Sequence, residues 1–125
     1  MSRSATDAVH IGQVAERTGL SHRTIRHYDE VGLVTPSGRT DGGFRLYTGG
    51  DVERLLLIRR MKPLGFALEE MKQLLDTVDS LRENPADIDA RTALEAFISE
   101  TEDRRARLAR QLSMADEFRR LLLTL

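Results

Sequence analysis

The chain has 125 residues, 40% hydrophobic and 31% charged, which allows one compact domain plus an appendage rather than two large domains. Its formal net charge is −1, and its halves differ little: residues 1–60 carry nine Arg against seven acids, residues 61–125 ten Lys/Arg against thirteen. Global charge therefore gives no pull toward nucleic acid, and the lack of Cys excludes disulfides, thiolate metal sites and cysteine nucleophiles.

Residues 1–9 show no periodic apolar pattern and no signal-peptide core, so a loose tail is expected there. No apolar run reaches membrane-spanning length, which makes a cytoplasmic protein without a membrane partner the default expectation. Ile11, Val14 and Ala15 fall at helical spacing, and Gly19 can supply the left-handed residue that ends a short helix. Leu20 is expected to pack inward, and Ser21 is placed to cap a second helix. That helix, His22 to Tyr28, puts Arg23 and Arg26 on one face, with Ile25 turned to the core. An arginine fork can bind a phosphate or the edge of a guanine with two hydrogen bonds. Taken alone, the segment reads equally as a solvated helix face; its flanks decide between the two. Helix, glycine turn and helix together make the helix-turn-helix plan.

Val31 to Leu33 closes the second helix, with Gly32 just beyond its end. Leu33-Val34 and Phe44 to Tyr47 are of strand type, and the intervening run is dense in turn residues, with Asp41-Gly42 the strongest hairpin signal. We expect a two-stranded wing bearing Arg39 and Arg45, leaning on the helices because so small a hairpin does not fold alone. The alternative is an ordinary surface hairpin. Thr48 with Asp51 fits a capping box that opens a helix to Met61 and buries Val52, Leu55, Leu56 and Ile58. Pro63 and Gly65 break it, and another helix starts near Ala67, a poor cap, and ends at Asn84-Pro85.

From Asp89 onward there is no Gly or Pro. In heptads, Leu94, Thr101, Leu108, Ala115 and Leu122 take the a positions, and Ile98, Arg105, Leu112 and Arg119 the d positions. A helix of roughly 35 residues spans about 50 Å and needs a surface to cover its stripe, for which a second copy is the economical choice. Folding back on its own domain is the alternative. Arg105 and Arg119 at d suit an antiparallel pair, where they could reach acids such as Glu102 or Glu117.

Three motifs share one resemblance: the run from Ile11 to Leu33, then Arg39 with Gly43-Phe-Arg-Leu-Tyr47, then Leu64-Gly-Phe-Ala-Leu-Glu-Glu70. Over residues 10–76 the chain resembles the MerR family of bacterial transcription regulators. The resemblance implies a mainly α fold: a winged helix-turn-helix DNA-binding domain over 10–80, a linker over 81–89, and a coiled-coil dimerisation helix over 90–125. It implies a homodimer that binds an inverted repeat in promoter DNA and realigns the promoter for RNA polymerase by bending and untwisting it. Position by position, Arg23, Thr24, Arg26, His27 and Tyr28 would contact DNA from the helix. Arg39, Phe44, Arg45 and Tyr47 would do so from the wing, with Arg26 and Arg45 foremost. Leu94, Ile98, Thr101, Leu108, Leu112, Ala115 and Leu122 would form the dimer seam.

The chain departs from the family at His27 and Phe44, where tyrosines are frequent. The sensor cysteines of other members are absent, and their added drug-binding domain is not expected. No cofactor or metal is expected, and any small-molecule effector, unidentified, would sit around Leu81 to Ile88. The competing readings are a ligand-free repressor or architectural DNA-binding protein, and a coiled-coil protein-interaction module. An enzyme is not expected: His10, His22 and His27 have neither metal-ligand spacing nor a nucleophile near them in sequence.

Overall fold

The computed structural model describes residues 8–125. In chain order the elements are β1 (Val9–His10), α1 (Ile11–Thr18), α2 (His22–Glu30), β2 (Gly38–Arg39) and β3 (Arg45–Tyr47). There follow α3 (Gly49–Met61), a 3-10 turn (Lys62–Leu64), α4 (Leu68–Glu83) and α5 (Ile88–Leu123). The chain divides inside α4 into two units, the first ending at Leu75 and the second beginning at Asp76.

Local chemistry sets the helix ends of the first unit. Gly19, at φ 72°, donates its N–H to the Ala15 carbonyl and stops α1. Ser21 accepts from the Thr24 N–H at 3.1 Å and starts α2. Past α2, Gly32 is left-handed at φ 73°, and the next amide, Leu33, returns to the Tyr28 carbonyl. Thr48 and Asp51 form the full capping box of α3. The α4 start lacks a capping side chain at Ala67, yet Glu70 accepts the Ala67 N–H at 2.8 Å and supplies half a box.

Val14, Ile25, Tyr47, Leu55 and Ile58 are fully buried, so α1, α2, α3 and β3 share one core. Among the described residues the sheet has three strands, in the order β1-β3-β2, both pairings antiparallel. Two expectations are corrected here. The loose tail expected over residues 1–9 lies outside the described residues up to residue 7, and it does not hold at Val9, which is buried and pairs with Tyr47; two residues are too few for any periodicity to announce a strand. The first wing strand is Gly38–Arg39, not Leu33-Val34; both of the latter are buried beneath the end of α2, where the chain turns rather than extends. The hairpin closes through Gly43, left-handed at φ 82°, whose N–H reaches the Thr40 carbonyl.

In the second unit the connection expected over 81–89 narrows to Asn84–Asp87, since α4 persists to Glu83. Asn84 turns the chain by accepting from Ala86 N–H, and Asp87 caps α5 by accepting from Ala90 N–H at 3.0 Å. α5 runs 36 residues, about 54 Å, and every residue from Arg105 onward is exposed.

Candidate nucleic-acid interface

Burial sorts α2 into two faces. Ile25 and Tyr28 lie in the core, while Arg23, Arg26 and His27 are exposed and Thr24 is half-buried. Thr24 is held at the helix start, its hydroxyl oxygen accepting from Ser21 Oγ at 2.9 Å. Arg23, Thr24, Arg26, His27, Tyr28 and Glu30 line an open cleft of about 490 Å³ together with Lys62 from the 3-10 turn. Three cations around one shallow surface form a local anion-attracting patch on a chain of near-neutral total charge. The rings of His27 and Tyr28 stand 6.0 Å apart, tilted by 45°.

The wing meets the end of α2 through a carboxylate. Asp29 Oδ2 accepts from Arg45 Nε at 2.7 Å and from Arg39 Nη2 at 3.2 Å. Arg39 also donates to the Gly43 carbonyl at 3.3 Å, across the hairpin turn. The hydrogen bond to Asp29 raises the Arg45 pKa, keeping that guanidinium charged. Phe44 is 69% exposed, its ring lying over Gly42, where a Cβ would stand 3.2 Å from the ring edge.

Burial bears on both tyrosine assignments and corrects that of Tyr47. Tyr47 is 0% exposed, pairs with Val9, and has its hydroxyl enclosed without a partner among the described residues, so it is a core residue with no surface to give to DNA. Tyr28 is 5% exposed and reaches the surface only as part of the cleft floor. Burial raises the pKa of both phenols. Strand alternation does not reveal this, because a three-residue strand has no stable period. Sequence reasoning missed Lys62, a single lysine before Pro63 with no motif around it, and Asp29, whose partners lie 10 and 16 residues away.

Residues 9–78 match the MerR HTH family regulatory protein family, and residues 52–117 match the family described as MerR, DNA binding. The chain belongs to the MerR family. It is 39% identical over 114 residues to the HTH-type transcriptional regulator CueR of Yersinia pestis, a match spanning 87% of this chain and 80% of CueR. Among solved structures it resembles MtaN, the N-terminus of the Bacillus subtilis multidrug transporter activator, at 36% identity and a TM-score of 0.58. That match covers 92% of this chain and 98% of MtaN. It also resembles HiNmlR, a MerR family regulator lacking the sensor domain and bound to promoter DNA, at 25% identity and a TM-score of 0.65; 85% of this chain and 79% of that one are covered. This MerR-family chain is a DNA-binding transcriptional regulator with a winged helix-turn-helix fold, not an enzyme.

Along α5, Ile98, Leu108, Leu112 and Leu122 are about half or more exposed, Ala115 is exposed, and Leu94 and Thr101 are half-buried. Thr101 sends its hydroxyl to the Phe97 carbonyl at 2.7 Å, which satisfies its polar atom within the helix. Ile88, at the end of the segment expected to face an effector, is 78% exposed. Among the described residues no group of three or more His, Asp or Glu is placed to hold a metal, and no helix is long and apolar enough to cross a membrane.

Proposed function

We propose that this regulator binds, as a homodimer, an inverted repeat in promoter DNA and controls transcription by distorting that DNA. The observation that carries the dimer is the state of α5. Leu108, Leu112, Ala115 and Leu122 repeat in heptads along a stretch in which every residue is solvent-exposed, and a second copy laid antiparallel would cover them. A two-fold dimer reads a two-fold site, hence the inverted repeat.

DNA is engaged from α2 by Arg23, Thr24, Arg26 and His27, with the exposed edge of Tyr28 beneath them. The wing adds Arg39, Phe44 and Arg45, and Lys62 joins as a further phosphate contact. Residues 10–80 are the DNA-binding part and 90–125 the dimerisation part. RNA polymerase is reached through promoter shape. Such a protein works in the cytoplasm, beside the genome. HiNmlR, a MerR family regulator lacking the sensor domain and resolved on promoter DNA, supports DNA binding by the winged helix-turn-helix part of this chain.

Selection of binding sites from random duplex DNA, run beside Arg26→Ala, tests the reading. We expect an inverted repeat with one fixed half-site spacing, lost in the variant. Enrichment of single half-sites, or of nothing, contradicts it.

A further inference from the structure

Arg39 and Arg45 are direct cross-strand partners in the β2–β3 ladder. Like charges placed opposite each other in an antiparallel pair repel, so the wing carries an electrostatic conflict at its middle. One atom resolves it. Asp29 Oδ2, on the last turn of α2, accepts from both guanidiniums at once, at 2.7 and 3.2 Å. The Asp29 side chain is 12% exposed, Arg45 25% and Arg39 48%. The carboxylate is therefore largely shielded from water, and the Arg45 contact with it, where charge–charge hydrogen bonds are strongest.

We propose that Asp29 is a positioning residue of the DNA interface, fixing the wing arginines relative to the recognition helix and thereby setting selectivity for one duplex sequence over others. A negative charge beside a DNA-binding surface opposes binding to any duplex, so simple electrostatics disfavours an acid here. Its geometry compensates. It sits on the same helix as Arg23 and Arg26, and it grips both strands of the wing, so helix and wing present their cations in one register. Phosphate contacts fix register on the duplex, and base contacts depend on that register. Arg39 is half exposed and bound by the longer contact, which leaves it freer than Arg45 to turn toward a phosphate, while Arg45, by its shorter contact, is held at the surface as the strut.

This inference rests on the DNA-binding reading above. The test compares wild type with Asp29→Asn, of the same shape but without the charge and with one acceptor oxygen replaced by a donor, on the selected operator and on an unrelated duplex of equal length. Operator affinity is expected to fall about tenfold, the scale of one misplaced charge-assisted contact, while affinity for the unrelated duplex holds or rises. A purely electrostatic role raises both affinities, a purely structural one lowers both, and either result overturns the proposal. A DNA-free readout accompanies it: the Arg45 Nε–H proton, slowly exchanging in wild type, exchanges fast in Asp29→Asn, and unchanged exchange counts against the strut. A wild type with no preference for any duplex overturns the DNA-binding reading together with this one. A selective wild type whose variant keeps the same selectivity ratio overturns this one alone. Should Asp29→Asn fail to fold, Asp29→Glu keeps the charge on a longer arm. Its selectivity ratio drops below wild type if register matters and equals wild type if it does not.

Discussion

Asp51 takes both donors of Ser37 on a single oxygen, the backbone N–H at 3.1 Å and the hydroxyl at 2.7 Å. That oxygen also accepts from the Thr48 N–H at 2.9 Å, while Thr48 Oγ1 accepts from the Asp51 N–H at 3.2 Å. One buried carboxylate thus starts α3 and fixes the chain where it enters β2. Asp51→Ala leaves two backbone donors without their acceptor and is expected to cost about 2–4 kcal/mol. The urea midpoint should fall with its slope unchanged. A midpoint close to wild type would show that the wing entry is held by something else.

The enclosed Tyr47 hydroxyl has no partner among the described residues, a cost that removing it should recover. Tyr47→Phe is expected to raise stability by about 1 kcal/mol, seen as a higher Tm. Because the side chain is 0% exposed, operator affinity should not change. Weaker DNA binding by a stable Tyr47→Phe protein would return this residue to the interface.

Alkaline pH separates the folded from the unfolded chain. Burial raises both Tyr28 and Tyr47 above the ordinary value of 10.0, and these are the two tyrosines of the sequence. The folded state holds its phenolic protons after the unfolded chain has lost them. Their contribution to stability is therefore fully present below the unfolded pKa and is lost as pH rises through the folded values. Tyrosinate absorbance should rise at higher pH in the native protein than in urea, and coincident titrations would contradict the burial.

Lys62 and Arg26 face one cleft and are expected to act on phosphates. Replacing either with Ala should flatten the plot of log affinity against log salt by about 0.9 for each phosphate no longer neutralised. If Arg26 reads a base instead, its variant keeps the wild-type slope and relaxes the selected sequence at one position. An unchanged slope and an unchanged operator for Lys62→Ala would leave that lysine outside the interface.

A charge in the α5 seam should break the dimer without touching the DNA-binding unit. Leu112 is 64% exposed, so Leu112→Glu costs little within the chain itself. In sedimentation the wild type is expected to run as a dimer and the variant as a monomer. Wild-type Tm should also rise with protein concentration, as mass action requires. A wild type that sediments as a monomer at every concentration would remove the dimer from the proposed function.

Much of this fold was legible as local chemistry. Ser21, Thr48, Gly19 and Gly32 announce helix ends because caps and left-handed residues act within a few positions of themselves. The exposed face of α2 followed from period alone, since Ile25 and Tyr28 are three apart. The length of α5 was equally plain, because no Gly or Pro breaks the helix, although Arg105 and Arg119 interrupt its apolar stripe.

What the tertiary structure decided depends on residues distant in sequence. Val9 becomes a strand only because Tyr47 lies opposite, and Tyr47 becomes core rather than surface by the same pairing. Arg45 reads as a free cation until Asp29, 16 residues earlier, is found 2.7 Å away. Lys62 has no motif, yet it shares a cleft with α2. Backbone preference and capping are settled by a few neighbouring residues and can be read along the chain. Burial and charge pairing are settled by which remote segments the fold brings together, and two- or three-residue strands carry too little pattern to reveal that.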